Sequence, residues 1–414
     1  MTSPPAGPRT GPGAEQDPPR NGPGAEQGRP RIGLVVNPVA GIGGRVGLKG
    51  SDGAEIQRRA LDLGARPEAL ERAVLTLRHL PPDVELITAD GPMGAEAALA
   101  AGRPARIVHR PTTADTTATD TRAAVRTLVA AGAGLLLFCG GDGTARDVLD
   151  ALGPEPRLPV LGIPAGVKMH SAVFAVHPRA AAEVAAAWAA GRGVRLEPAE
   201  VVDRDEAALR AGRVSARLYG RLTVPVLPAR VQQRKTGSSG PAPGTPAGIA
   251  AEVAERVGPG GLLLLGPGST TYAVATALGA PCTSLTGVDL LRLGPEGALG
   301  PGHADGLATA ARLLIRDARA DQLHALPTTP FIALSPIGGQ GFLLGRGNQQ
   351  LTPELLRATG RERLLVLATE AKLAALAGRP LLLDTGDPDL DDALSGHVRV
   401  ITGRRSGAVY RLSA

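Results

Sequence analysis

An unbroken apolar stretch, Gly134–Cys139 (GLLLFC), runs straight into Gly140-Gly141-Asp142-Gly143-Thr144, and a helical pattern follows from Ala145 to Leu152. A strand with no polar residue on either face belongs inside a sheet covered on both sides. A glycine turn between that strand and a helix sits at the carboxyl end of the strand, where open α/β sheets bind their ligands. Similar units surround it. Strand-like runs at Arg31–Asn37, Asp83–Thr88, Arg106–His109 and Pro159–Ile163 alternate with helical patterns at Asp52–Ala60, Pro67–Leu80, Gly94–Ala101 and Asp115–Ala131. This alternation predicts a parallel, Rossmann-like α/β domain over residues 31–170.

Beyond Val176 the texture changes. A helix at Arg179–Trp188 precedes short Arg- and Val-rich strands and turns over Val194–Val231, then a Lys/Ser/Gly/Pro loop at Gln232–Thr245. Strands at Gly261–Leu265 and Pro281–Val288 flank a helix at Ser269–Leu278. The pattern predicts a β-rich substrate-binding domain over 171–330 and a segment, 331–414, that packs back toward the N-terminal domain. Residues 1–30 hold the string GPGAEQ twice and little that can be buried, so they read as a disordered low-complexity tail.

Only 2% of the residues are aromatic, so Leu, Val and Ala must fill the core. A net charge of +6 without a polybasic block or interleaved aromatics argues against a nucleic-acid partner. No apolar run approaches the length of a membrane span, which predicts a cytoplasmic protein without a membrane partner. Cys139 and Cys282 are too few for a disulfide framework or a zinc site and read as reduced, buried thiols.

Four features carry chemistry. In the GGDGT turn, Gly140, Gly141, Gly143 and Thr144 let the backbone and the helix N-terminus approach a polyphosphate. Phosphate would repel Asp142 unless the carboxylate holds Mg²⁺ or accepts a proton from an attacking hydroxyl. The same string also reads as a tight turn with Asp142 or Thr144 as helix cap. Asn37, followed by Gly43 and Gly44, suits a second phosphate loop after the first strand, or an ordinary connection. Gly268-Ser269-Thr270-Thr271-Tyr272 offers hydroxyls and a ring at a helix start, or simply caps that helix. Lys168 is placed to neutralise a phosphate or lies exposed. His170 and His177 lack partners at metal spacing and read as structural. Gln340, Arg346, Asn348 and Gln349 form a polar cluster that contacts a ligand or a subunit, or holds its own turn.

The GGDGT string and the early Asn-Pro loop resemble the superfamily of NAD kinases, diacylglycerol and sphingoid-base kinases and phosphofructokinases. GSTTY at 268–272 is similar to the GSTAY string of NAD kinases. The strings GIPAGVKMHSAVFA (162–175), TGVDLL (286–291), SPIGGQGFLLGRGNQQL (335–351) and LLLDTGD (381–387) resemble a branch of ATP-NAD kinase-like proteins that includes one encoded with acetoin catabolism genes. The resemblance spans about Arg31 to Arg411 and implies an ATP-dependent kinase that phosphorylates the 2′-hydroxyl of the adenosine ribose of NAD. It implies ATP and NAD as substrates, Mg²⁺ with the donor, Asp142 as the group that accepts the hydroxyl proton or orients the metal, and Ser269, Thr270, Thr271 and Tyr272 at the dinucleotide; a homo-oligomer is also expected. The Asn–acidic pair of NAD kinases has no clear counterpart. Asp203, Asp205 and Asp289 are stand-ins, with Asp289 the best placed. A kinase of another hydroxyl, lipid or small polyol, and a non-catalytic nucleotide-binding regulator remain alternatives.

Removing residues 1–30 should leave melting temperature and turnover unchanged, because no motif lies there. A large loss of either, read by thermal melt and kinase assay, would show that the tail docks on the folded chain.

Overall fold

Five short strands build the first sheet: β1 (Arg31–Val36), β2 (Glu85–Ala89), β3 (Ala105–His109), β4 (Leu135–Gly140) and β5 (Val160–Pro164). The structure, a computed structural model, describes residues 30–48, 54–113, 116–153, 156–167, 169–204, 216–227, 245–281, 283–294 and 311–414. The tail 1–29, Lys168, Asp205, Arg234, Lys235 and Cys282 lie outside these residues. β4 and β5 are buried along their whole length, as their apolar sequences require. The order is β3-β2-β1-β4-β5, with every neighbouring pair parallel. The chain winds outward through β2 and β3, then returns to the far side of β1 for β4 and β5. The winding therefore reverses between β1 and β4, which opens a crevice at their carboxyl ends.

Helices α1 (Ala54–Asp62), α2 (Ala69–Arg78), α3 (Ala95–Ala100), α4 (Ala118–Ala130), α5 (Asp142–Leu152) and α6 (Pro178–Ala189) connect and follow these strands. Thr117 and Asp120 form a capping box at the start of α4, and the ring of His177 caps α6. An antiparallel hairpin, β6 (Arg195–Arg204) and β7 (Ala216–Val226), sends Val201, Leu222 and Val224 into the same core.

The second sheet has eight strands in the order β10-β9-β8-β11-β12-β14-β15-β13. They are β8 (Leu262–Leu265), β9 (Asp289–Leu293), β10 (Ala311–Ile315), β11 (Phe331–Leu334), β12 (Leu364–Leu367), β13 (Leu381–Leu382), β14 (Gly396–Gly403) and β15 (Ser406–Ser413). β8, β11, β12 and β14 run parallel, flanked by antiparallel partners. Successive side chains alternate between faces. Leu262 and Leu264 thus join the leucines of 343–412, while Leu263 and Leu265 pack under helices Pro246–Val257 and Ser269–Ala277.

Helix α6 and the hairpin strands β6 and β7 pack on the first core, and β11 slots between β8 and β12, so the parallel ladder of the second sheet includes strands on both sides of residue 330. The strand expected at Pro281–Val288 begins only at Asp289. There the Asp289 carboxylate takes the N–H groups of Ser284 and Asp317 and holds 284–288 as a loop. The helices Pro246–Val257, Ala320–His324, Pro353–Thr359, Glu370–Ala374 and Pro388–Leu394 are additional to the expected elements.

A buried ion cluster ties the two sheets together. Arg72 of α2 donates to Asp384 Oδ2 (2.8 Å) and Oδ1 (3.1 Å) and to the Pro164 carbonyl (2.9 Å). Arg346 donates to the same carboxylate and to the Val176 carbonyl (2.9 Å). Burial alone would raise the Asp384 pKa, but the two guanidinium charges hold it below the usual carboxylate range. Phe342 fills part of the first core, with the Arg346 guanidinium 4.3 Å from its ring centroid. Nearby Asp391 is pushed up to about 6 by burial and then by the charge of Asp384.

Asp384→Ala should cost about 3–5 kcal/mol, because it leaves the buried Arg346 without its carboxylate and Arg72 with only Glu68, 3.5 Å away, as counter-charge. Urea unfolding would show this as a lowered midpoint, and an unchanged midpoint would remove the cluster from its structural role.

Candidate functional site

Asn37 leaves β1 and Gly140–Thr144 leave β4 on either side of the crevice between these strands. The Asn37 N–H donates to the Cys139 carbonyl (2.9 Å), and its side-chain amide donates to Thr144 Oγ1 (3.0 Å). The two loops are therefore one hydrogen-bonded unit. A Cβ at Gly140 would sit 2.3 Å from Thr144 Oγ1, so only glycine lets the helix start fold onto the strand end. Helix α5 begins at Asp142, three residues before the expected Ala145. Asp142, Gly143 and Thr144 thus form its first turn, whose N–H groups have no intrahelical acceptor and bring the positive end of the dipole. Gly141, Asp142 and Gly143 are only half-buried, so an anion can reach this turn.

The end of β5 closes one side. The Ala165 N–H donates to the Gly140 carbonyl (2.9 Å), and a Cβ on Gly166 would lie 2.8 Å from the Gly141 Cα. Asp142 points into the next segment. Its Oδ2 accepts from the His170 N–H (2.8 Å) and its Oδ1 from the Ser171 N–H (3.0 Å), while His170 Nδ1 lies 3.3 Å from Oδ2. The carboxylate is 13% exposed, so it is fixed in orientation while its edge faces solvent. His170 thus works through its backbone and its ring beside a carboxylate.

Each Asp142 oxygen accepts one backbone N–H group and the carboxylate keeps its exposed edge, and no group of three His, Cys, Asp or Glu side chains converges among the described residues.

Gly43 and Gly44 are buried, and the N–H groups of Gly44, Gly47 and Leu48 close turns within their own loop. A Cβ at Gly44 would lie 3.2 Å from the Gln349 Cβ, a tight approach. The Arg45 carbonyl accepts from the Ala320 N–H (3.2 Å), so the second unit touches this loop.

GSTTY lies at the carboxyl end of β8. Gly268 has φ 131°, a conformation that suits glycine, and Ser269 starts the helix exposed, with Tyr272 half-buried behind it. Thr271 Oγ1 donates to the Gly268 carbonyl (2.9 Å). Thr270 Oγ1 accepts from the buried Lys372 Nζ (3.0 Å), which also donates to Ser335 Oγ (2.9 Å). Three parallel strand ends therefore meet at one lysine, which gives positive charge beside a helix start. Sequence reading missed Lys372 because its surroundings show only an ordinary helix pattern. Asp289 is 1% exposed; its oxygens accept the N–H groups of Ser284 and Asp317 and anchor that loop, and burial raises its pKa.

The Gly-rich loop links the two regions. Asn348 holds its turn through Gly345 N–H and the Leu343 carbonyl, and Arg346 enters the ion cluster. Gln340 and Gln349 reach instead to the segment beside Asp142.

Residues 32–192 match the ATP-NAD kinase N-terminal domain, and residues 297–412 match the ATP-NAD kinase C-terminal domain. Together the matches span about two thirds of the chain. No curated protein and no solved structure matches it.

Gly166→Ala should push the β4 and β5 loops apart and destabilise the chain by about 1–3 kcal/mol, the cost of overpacking. A urea titration checks this; an unchanged midpoint would show that the glycine contact does not set the spacing of these loops.

Proposed function

The chain belongs to the ATP-NAD kinase family, and on that premise we propose that it transfers the γ-phosphoryl group of ATP to the 2′-hydroxyl of the adenosine ribose of NAD, giving NADP. The observation that carries this reading is the Asp142 carboxylate, fixed by two N–H groups in the first turn of α5 at the switch point of the sheet. Phosphoryl transfer asks for alignment and charge compensation more than for covalent help from the protein.

In this reading the half-buried turn Gly141–Gly143 receives the donor phosphates through free N–H groups and the α5 dipole. Mg²⁺ enters as part of the nucleotide substrate. The ribose oxygen forms the new bond to phosphorus, the bond from phosphorus to the β,γ-bridging oxygen breaks, and ADP leaves with that electron pair. Asp142 takes the hydroxyl proton. Its two N–H partners hold the carboxylate still, so the acceptor must approach its exposed edge. Thr144 and Asn37 act one step back, by locking the helix start to β1. Ser269, Thr270 and Tyr272 hold the dinucleotide, and Lys372 brings positive charge close to its pyrophosphate.

Asp142→Asn keeps the N–H contacts to one oxygen but removes the proton acceptor, and should lower kcat by about 10²–10⁴-fold with the fold intact. Tyr272→Ala should raise KM for NAD far more than KM for ATP, because it removes contacts to one substrate only. Steady-state kinetics beside a thermal melt checks both. Near-wild-type turnover in the first variant, or equal effects on both substrates with a depressed melt in the second, would defeat the assignment.

A further inference from the structure

Val167 and residues 169–171 make contacts on two sides. The N–H groups of His170 and Ser171 grip the Asp142 carboxylate at 2.8 and 3.0 Å. The carbonyls of Val167 and Met169 face the Gly-rich loop of the second unit. Gln349 Nε2 donates to the Val167 carbonyl (2.8 Å), the Gly347 N–H donates to the same oxygen (3.0 Å), and Gln340 Nε2 donates to the Met169 carbonyl (3.2 Å). Gln340 is 4% exposed, so a hydrogen bond lost there has no water to replace it.

The same loop passes close to the other half of the site. Gly347 has φ 76°, and a Cβ built there would lie 3.7 Å from Cγ of Pro267, the residue just before Gly268 and the GSTTY helix. Gly347 and Gln349 thus stand near the GSTTY turn while donating to the Val167 carbonyl. Gln349 Nε2 also donates to the Gly345 carbonyl (3.2 Å), so the amide is held from its own loop and from Val167 together. The loop itself is held by Arg346, which is locked to Asp384 and the Val176 carbonyl.

We propose that Gln340, Gly347 and Gln349 are positioning residues for phosphoryl transfer: they set Asp142 against the GSTTY turn by fixing the strip of backbone between them. This rests on the reading of α5 as the phosphoryl-transfer site. None of the three needs to touch a substrate. Their work is to hold a carboxylate and an acceptor subsite, borne on different sheets, at one spacing, and misplacement by about 1 Å is enough to cost about 10²-fold in rate.

The test uses full-length protein carrying Gln349→Ala or Gln349→Met; the methionine keeps the volume but donates no hydrogen bond. Two readouts are taken: amide hydrogen exchange at His170 and Ser171, and kcat with KM for MgATP and NAD. Both variants should exchange these amides at least about tenfold faster with a melting temperature near that of wild type. Both should lose about 10–100-fold in kcat with either KM changed less than about threefold. Recovery of wild-type exchange and kcat in the methionine variant would reduce the Gln349 contact to packing and overturn the proposal. Unchanged exchange in the alanine variant would also overturn it. Wild-type protein that forms no NADP would remove the functional reading instead, and the exchange experiment would still decide whether Gln349 controls the Asp142 contacts.

Discussion

One carboxylate shared by two buried arginines decides how the parts of this protein face each other. Asp384 comes from the second sheet region, Arg72 from a helix under the first sheet, and Arg346 from the loop between them. Each arginine also donates to a carbonyl at a decisive place, Pro164 at the end of β5 and Val176 before α6. Such a cluster is poor evidence for net stability, because removing charge from water costs several kcal/mol per ion. Its value is directional. Only one mutual placement satisfies both guanidinium forks, so the loop 335–351 meets the β5 end in one register.

From that register the chemistry of the site follows. The crevice between β1 and β4 is an ordinary consequence of doubly wound topology, and many folds have one. Here its rear wall, residues 165–167 and 169–171, is clamped between α5 and a loop from the other sheet. The clamp turns two backbone N–H groups onto Asp142 and leaves the first turn of α5 open to an anion. A second positive locus, Lys372 with the start of the GSTTY helix, sits at the carboxyl ends of β8, β11 and β12. The reading proposed for this chain, a polyphosphate donor aligned with a dinucleotide acceptor, asks for two anion-accepting loci on rigid supports, and both loci here stand on strand ends.

The first sheet was legible because its strands are apolar on both faces and separated by helices with clear caps, so GLLLFC alone placed β4 to within a residue. The GGDGT turn was legible because glycine at 140 and 141 has a steric meaning that survives into the structure. The start of α5 was misplaced by three residues, since a glycine-rich turn hides its helical φ/ψ from propensity. The packing at Gly44 left no sign in the sequence, because nothing local announces that Gln349, some 300 residues later, stands against it. The anchoring contacts of Asp289 were hidden for a like reason: its partners are backbone N–H groups, which leave no trace in the sequence. Lys372 stayed invisible because its role arises from three strands that become neighbours only in the folded sheet. Asp384 lay in a quoted string, LLLDTGD, yet its partner Arg72 is 312 positions away.

The claim that this scaffold phosphorylates NAD is tested most directly by ³¹P NMR of purified protein with MgATP and NAD. Growth of a phosphomonoester resonance on the adenosine ribose, matched mole for mole by conversion of ATP to ADP, is the predicted result. Release of inorganic phosphate with the NAD resonances unchanged, or ATP left intact, would contradict it.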